Sequence, residues 1–163
     1  MDPMSHAPRF ALDTMLIKLG KYLRCLGYDA QWDAELGTRD LILRANAEDR
    51  LFLTRNRRIE RHYPLPLRML VLEPDDPVLQ LATLVRQCGL DVRATLFSRC
   101  IRCNVELEAL PDREAARGRV PEGVFLKYRD FYRCPSCATL FWRGTHVENT
   151  CRKLGIEPPE DAL

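Results

Sequence analysis

Between Arg9 and about Val92, short apolar runs alternate with longer stretches of helical period. The run RFAL at 9–12 reads as a strand, after which Leu16, Leu19, Tyr22, Leu23 and Leu26 recur at helical spacing until Gly27 supplies a stop. DAQW at 29–32 reads as a second strand. Leu41, Ile42, Ala45 and Ala47 mark a second helix, opened by Gly37 and Thr38. LFL at 51–53 and RMLVL at 68–72 add a third and a fourth strand. The run DDPVLQLATLVRQCGL has the clearest helix signals in the chain, with Asp76 as N-cap, Pro77 at the first helical position and Gly89 at the end. Strands and helices in this alternation predict an α/β fold with a parallel sheet covered on both faces.

From about Thr95 the helical pattern gives way to cysteine pairs, a Pro/Gly/Arg-rich stretch at 111–123 and short aromatic strand-like pieces. CIRC (100–103) and CPSC (134–137) are C-x2-C pairs with 30 residues between them. Each pair can present two thiolates from one tight turn, and two such turns close a tetrahedral site. Cys100, Cys103, Cys134 and Cys137 therefore predict a structural zinc with no open position, holding together a piece too small for a core of its own. The flanks VELEAL and TLFWRG fit the strands of a zinc ribbon, and the 30-residue gap requires a loop insertion. The expected organisation is 8–94 for the α/β domain, 95–154 for the zinc ribbon and 155–163 for a flexible acidic tail. Cys25 and Cys88 lie in predicted helices as small core residues, whereas Cys151, near the C-terminus, is a candidate for exposure.

Composition narrows the class without deciding the function. Apolar residues make up 46% and charged residues 29%, as in a folded domain, and no apolar run approaches the roughly 20 residues that cross a bilayer. The opening MDPMSHAPRF lacks the features of a signal peptide, and the seven cysteines are an odd number, so a cytoplasmic protein binding metal is expected rather than a disulfide framework or a membrane protein. The net charge of +2 does not by itself announce a nucleic-acid partner. Locally the balance differs, since six arginines and a single acid, Glu60, fall between Arg50 and Arg68.

That basic segment includes LFLTRNRR (51–58), where a buried-looking strand ends in cations. In open parallel sheets ligands bind beyond the carboxyl ends of the strands. Asp13 follows the first strand, Asp33 the second, Arg55 and Asn56 the third, and Glu73-Pro74-Asp75-Asp76 the fourth, while Asp40 lies in the first turn of the second helix. Carboxylates gathered on one edge would suit Mg²⁺ or Mn²⁺, and arginines beside them a phosphodiester. Each acid also has a plain explanation: Asp76 and Asp13 as helix caps, Asp29, Asp33 and Asp49 as turn residues.

Taken together, RFALDTMLIKLGKYLRCLGYDA, LFLTRNRR, VLEPDDPVLQL, the two C-x2-C pairs and FWRGTH resemble the Mut-seven C-terminal ribonuclease domain family in matching order over nearly the whole chain. The resemblance implies a PIN-like, three-layer α/β/α nuclease domain followed by a small zinc ribbon, acting on RNA with Mg²⁺ or Mn²⁺. It implies Asp13 as the first catalytic acid, Asp40 as the helix-borne acid and Asp75 with Asp76 as the acidic pair. It places Arg55 and Arg57, extended by Arg58 and Arg61, on the RNA backbone. Trp142, Arg143, Gly144 and His146 match a late W-R-G-S/T-H motif, for which the resemblance implies contact with RNA or with the nuclease core, Arg143 and His146 being the candidates for RNA. Asn56 stands where the family pattern has aspartate, which removes a negative charge from the expected site. Two further readings follow: an RNA-binding module with weak or no turnover, for which Asn56 is the evidence, and a zinc-ribbon adaptor whose strand-end acids are only caps.

Overall fold

The computed structural model describes residues 7–61 and 64–158. The chain divides into two compact units, with the boundary between Leu96 and Phe97. Among the described residues no helix is long and apolar enough to cross a membrane.

The first unit is built on four short parallel strands, β1 (Phe10–Leu12), β2 (Ala30–Gln31), β3 (Leu51–Thr54) and β4 (Met69–Val71), in the order β2-β1-β3-β4. Three helices connect or follow them: α1 (Ile17–Cys25), entered through a 3-10 turn at Thr14–Leu16, α2 (Thr38–Ala47) and α3 (Pro77–Cys88). All four predicted strands and all three helices are present. The alternation of side chains in the strands assigns the layers. Ala11 pairs with Phe52 and Phe52 with Met69, and this row packs with Leu41, Ile42 and Ala45 of α2 and with Ile59. Leu12, one residue on, faces the other way toward Gly20 of α1, and α1 packs against α3. Helices thus cover both faces of the sheet, giving three layers.

Local signals act as the sequence pattern indicates. Asp76 Oδ1 accepts from the backbone N–H of Val78 (2.8 Å) and Leu79 (3.1 Å), and Gly89 ends α3 at φ +63°. Gly27, just past α1, has φ +89°, and a Cβ there would lie 2.1 Å from the Thr95 carbonyl oxygen, so glycine is required for conformation and for space.

Arg50 separates from the other cations of the basic segment. It precedes β3 at the amino edge of the sheet, is 8% exposed, and donates through both terminal nitrogens to Asp29 (2.6 and 3.1 Å), through Nη1 also to the Phe10 carbonyl (3.3 Å), and through Nε to Glu48 (2.5 Å). The amino ends of β1, β2 and β3 are thereby tied to one guanidinium.

The second unit contains an antiparallel sheet of β5 (Glu108–Ala109), β6 (Tyr132–Arg133) and β7 (Leu140–Phe141), in that order. The expected loop insertion is instead folded, as a 3-10 turn at Arg113–Ala116 and helix α4 (Glu122–Lys127). The cause is a small core of Ala116, Phe125 and Phe131, flanked by Leu110, Val120, Val124, Tyr128, Leu140 and Trp142. The guanidinium carbons of Arg113 and Arg117 lie 4.0 and 4.5 Å from the Phe125 ring centroid, so part of the arginine excess in this stretch is packing. The last described element is α5 (Thr145–Leu154), which the strand-like reading of this region missed. Val147 and Cys151, one turn apart, form its buried stripe, so Cys151 is buried rather than exposed. Of the expected tail, residues 159–163 lie outside the described residues.

Removing Arg50 leaves Asp29 without its partner at a nearly closed site. Arg50→Ala is expected to lower unfolding stability by about 3 kcal/mol, the usual loss when one member of a buried pair is deleted. Urea denaturation measures it.

Candidate functional sites

In the order β2-β1-β3-β4, β1 leads through α1 to β2 on one side, and β2 returns across through α2 to β3 on the other. The connections part between β1 and β3, the point in an open parallel sheet beyond whose carboxyl ends ligands bind. Asp13 is the first residue beyond β1. Its N–H continues the ladder to the Leu53 carbonyl (2.9 Å), and it begins the 3-10 turn without a side-chain capping bond. Its carboxylate instead accepts from Thr54 Oγ1 (3.1 Å), and Asp13 is only 9% exposed. Capping therefore does not explain this acid.

Thr54, fully buried at the end of β3, is a site residue that the motif reading passed over. Its hydroxyl donates to Asp13 Oδ2 and accepts from the backbone N–H of Asn56 (3.0 Å), linking the exits of the two central strands. The signal was a polar residue closing an apolar strand, one step beyond the Leu12–Leu53 pair. Asn56 Oδ1 accepts from the Arg58 N–H (2.9 Å), an Asx turn that carries the chain off the sheet.

The other acids are divided. Asp76 is the α3 cap, so one of its oxygens is engaged. Asp75, exposed, is ion-paired with Arg55, and Glu73 with Arg57 at 2.7 Å. Asp40 is exposed in the first turn of α2, where a carboxylate also suits the helix dipole. Asp33 meets Arg44 at 3.5 Å, Asp29 meets Arg50, and Asp49 lies 3.7 Å from Arg68. Asp13, Asp40, Asp75 and Asp76 share the carboxyl edge by topology. Among the described residues, however, the one group of three or more metal-ligating side chains with ligand atoms within 4.8 Å of one another is the cysteine group. Arg58 and Arg61 are exposed and in no ion pair among the described residues.

That group unites Cys100, Cys103, Cys134 and Cys137. Two turns of the same build present them. Cys103 N–H points to Cys100 Sγ (3.5 Å) and Cys137 N–H to Cys134 Sγ (3.4 Å). Asn104 N–H donates to the Cys100 carbonyl and Ala138 N–H to the Cys134 carbonyl, both at 2.9 Å. Asn104 and Ala138 both take the left-handed conformation, at φ +61° and +60°. Four sulfurs around a zinc at about 2.3 Å sit roughly 3.8 Å apart, and Cys100 and Cys137 are 4.0 Å apart. The donor set and spacing fit, and the cluster suggests a structural zinc. Burial, aided by the neighbouring Cys134, pushes the Cys100 thiol up to about 12, while the Thr139 hydroxyl and backbone bring Cys137 down to about 6. A dication would therefore have to displace the Cys100 proton.

The WRGTH segment has its own geometry. The rings of Trp142 and His146 meet edge to face at 6.0 Å, and a Cβ on Gly144 would lie 2.7 Å from Trp142 Nε1. Glycine is required because the indole folds over it. Arg143 places its guanidinium 5.9 Å from the Tyr132 ring centroid. Desolvation lowers the His146 pKa below 6.5, so at neutral pH the imidazole offers hydrogen bonds rather than charge.

Comparison with known proteins agrees with the motif order. The model of a family described as Mut7-C RNAse domain matches residues 8–154, the bulk of the chain. No curated protein and no solved structure matches.

Two outcomes are expected. Stripping zinc with a chelator, or Cys134→Ser, should expose the segment 97–154 to proteolysis, while amides of the parallel sheet keep their protection in hydrogen exchange. An NMR titration should place the His146 midpoint below 6.5.

Proposed function

Because the chain belongs to the Mut7-C RNAse domain family, we propose that it is a ribonuclease, and specifically a Mg²⁺- or Mn²⁺-dependent endoribonuclease of PIN-like type. The observation that carries this reading is Asp13. It is a nearly buried carboxylate at the parting point of a parallel sheet, released from capping and held by a buried threonine hydroxyl. A group enclosed at this position and oriented by a neighbour has the hallmarks of a working acid.

Asp13 would hold the metal, with Asp40, Asp75 and Asp76 as further acids on the same edge. Mg²⁺ commonly binds through one or two carboxylates together with substrate phosphate, so a closed protein cage is not needed. A bound metal would supply an activated water and offset phosphoryl charge. Thr54 keeps the Asp13 carboxylate in one orientation. Arg55, Arg57, Arg58 and Arg61 would hold the RNA backbone, and in the zinc-bearing unit Arg143 and His146 would add contacts. Asn56 shapes the exit of β3 through its Asx turn.

Asn56 also supports a second reading, RNA binding with weak turnover, because aspartate would make the same turn and add a charge. The two readings differ in one assay, cleavage of mixed structured and single-stranded RNA by zinc-loaded protein with Mn²⁺ or Mg²⁺. Asp13→Asn is expected to lower the rate by about 10²-fold or more, on the scale of losing an essential acid or base. Thr54→Val, which keeps the shape and removes the hydroxyl, should lower kcat by roughly 10-fold and raise the Mn²⁺ concentration needed for half-maximal rate. Asn56→Asp should lower that concentration. Binding without Asp13-dependent cleavage, even in Asn56→Asp, would leave the binding module.

A further inference from the structure

The first two cations leaving β3 are already occupied. Arg55 pairs with Asp75 and also donates to the Glu73 carbonyl (3.3 Å), while Arg57 pairs with Glu73 at 2.7 Å. Both partners come from the short segment Glu73-Pro74-Asp75 that leaves β4, the strand beside β3. This segment is held from beneath. Gln80 of α3, 3% exposed, donates through Nε2 to the carbonyls of Pro74 (2.8 Å) and Asp75 (3.4 Å), and the Asp76 cap fixes the next residue. Two carboxylates are therefore presented to two guanidiniums by a pinned backbone.

The pairing is incomplete. Asp75, Glu73 and Arg57 are well exposed, and exposed pairs hold by a factor of roughly five or less each. Nε of Arg55 is enclosed with no hydrogen-bond acceptor among the described residues, so the carboxylate leaves one donor of the fork unused. A phosphodiester also offers two anionic oxygens to a guanidinium, and a longer run of them.

We propose that Glu73 and Asp75 act as an intramolecular stand-in for the RNA backbone, occupying Arg55 and Arg57 until phosphates of a single strand displace them. The proposal rests on the reading of this edge as RNA-binding and adds what that reading lacks: a built-in competitor that lowers affinity for short or poorly placed polyanions. A strand that also reaches Arg58 and Arg61 gains contacts that the stand-in does not contest.

The test measures binding of a short fluorescein-labelled single-stranded RNA to zinc-loaded full-length protein by anisotropy, with no Mg²⁺ or Mn²⁺ present, so cleavage does not contribute. Glu73→Gln/Asp75→Asn is expected to bind about tenfold more tightly at low salt, two exposed pairs and their repulsion of RNA having been removed. Added KCl should narrow the difference. Glu73→Gln alone, which alters no proposed catalytic group, should give part of the gain. Arg55→Ala/Arg57→Ala should weaken the otherwise unaltered protein and cancel the gain. Unchanged or weaker binding by Glu73→Gln/Asp75→Asn, with weakening by Arg55→Ala/Arg57→Ala, overturns the stand-in and leaves the RNA edge in place. If the arginine pair has no effect on affinity, the RNA edge fails and the stand-in fails with it.

Discussion

The arrangement of the first unit depends on one constraint: β1 and β3 are parallel neighbours whose connections leave in opposite directions. Parallel strands need crossovers, and crossovers of one hand place α1 and α2 on opposite faces of the sheet. Between the two exits no connection crosses the sheet edge, so polar groups can collect there without breaking the core. Asp13 and Thr54 occupy this gap, and the hydrogen bond between them joins the two exits. The apolar residues just before them, Leu12 and Leu53, are fully buried, which holds the pair in register.

The two edges of the sheet hold their charged residues in different ways. At the amino edge Arg50 gathers Asp29, Glu48 and a backbone carbonyl into a closed cluster that sets the start of three strands. At the carboxyl edge Arg55 and Arg57 pair across loops with Asp75 and Glu73, both well exposed, a looser state that can exchange partners. A run of arginines that looks uniform along the chain is thus two populations, separated by the length of β3.

In the second unit stabilisation comes from elsewhere. Among the described residues its apolar cluster is Ala116, Phe125, Phe131 and their half-buried neighbours, with Val147 and Cys151 buried on α5, small for a unit of this length. Two matched cysteine turns bring four sulfurs to spacing suited to one zinc, which would cross-link residues 100–137 and substitute for missing core. Phe125 and its stacked arginines give the stretch between the turns a fold of its own.

The sequence by itself determined the four strands, three helices, the α3 caps and the four sulfur ligands, because each rests on local periodicity, capping chemistry or fixed spacing. The folded insertion and α5 were not legible. Their buried positions are few, Phe125 and Ala116 in one and Val147 and Cys151 in the other, and too sparse to set up a period against many charges. Only the tertiary structure separated Asp13 from the other acids. Along the chain Asp13, Asp29, Asp33, Asp75 and Asp76 are alike, each an acid beside a strand or helix end. Which is a cap, which is neutralised by arginine and which is held by a buried hydroxyl depends on the group that lies across from it in space. For Asp13 that group is a hydroxyl 41 residues away in the chain.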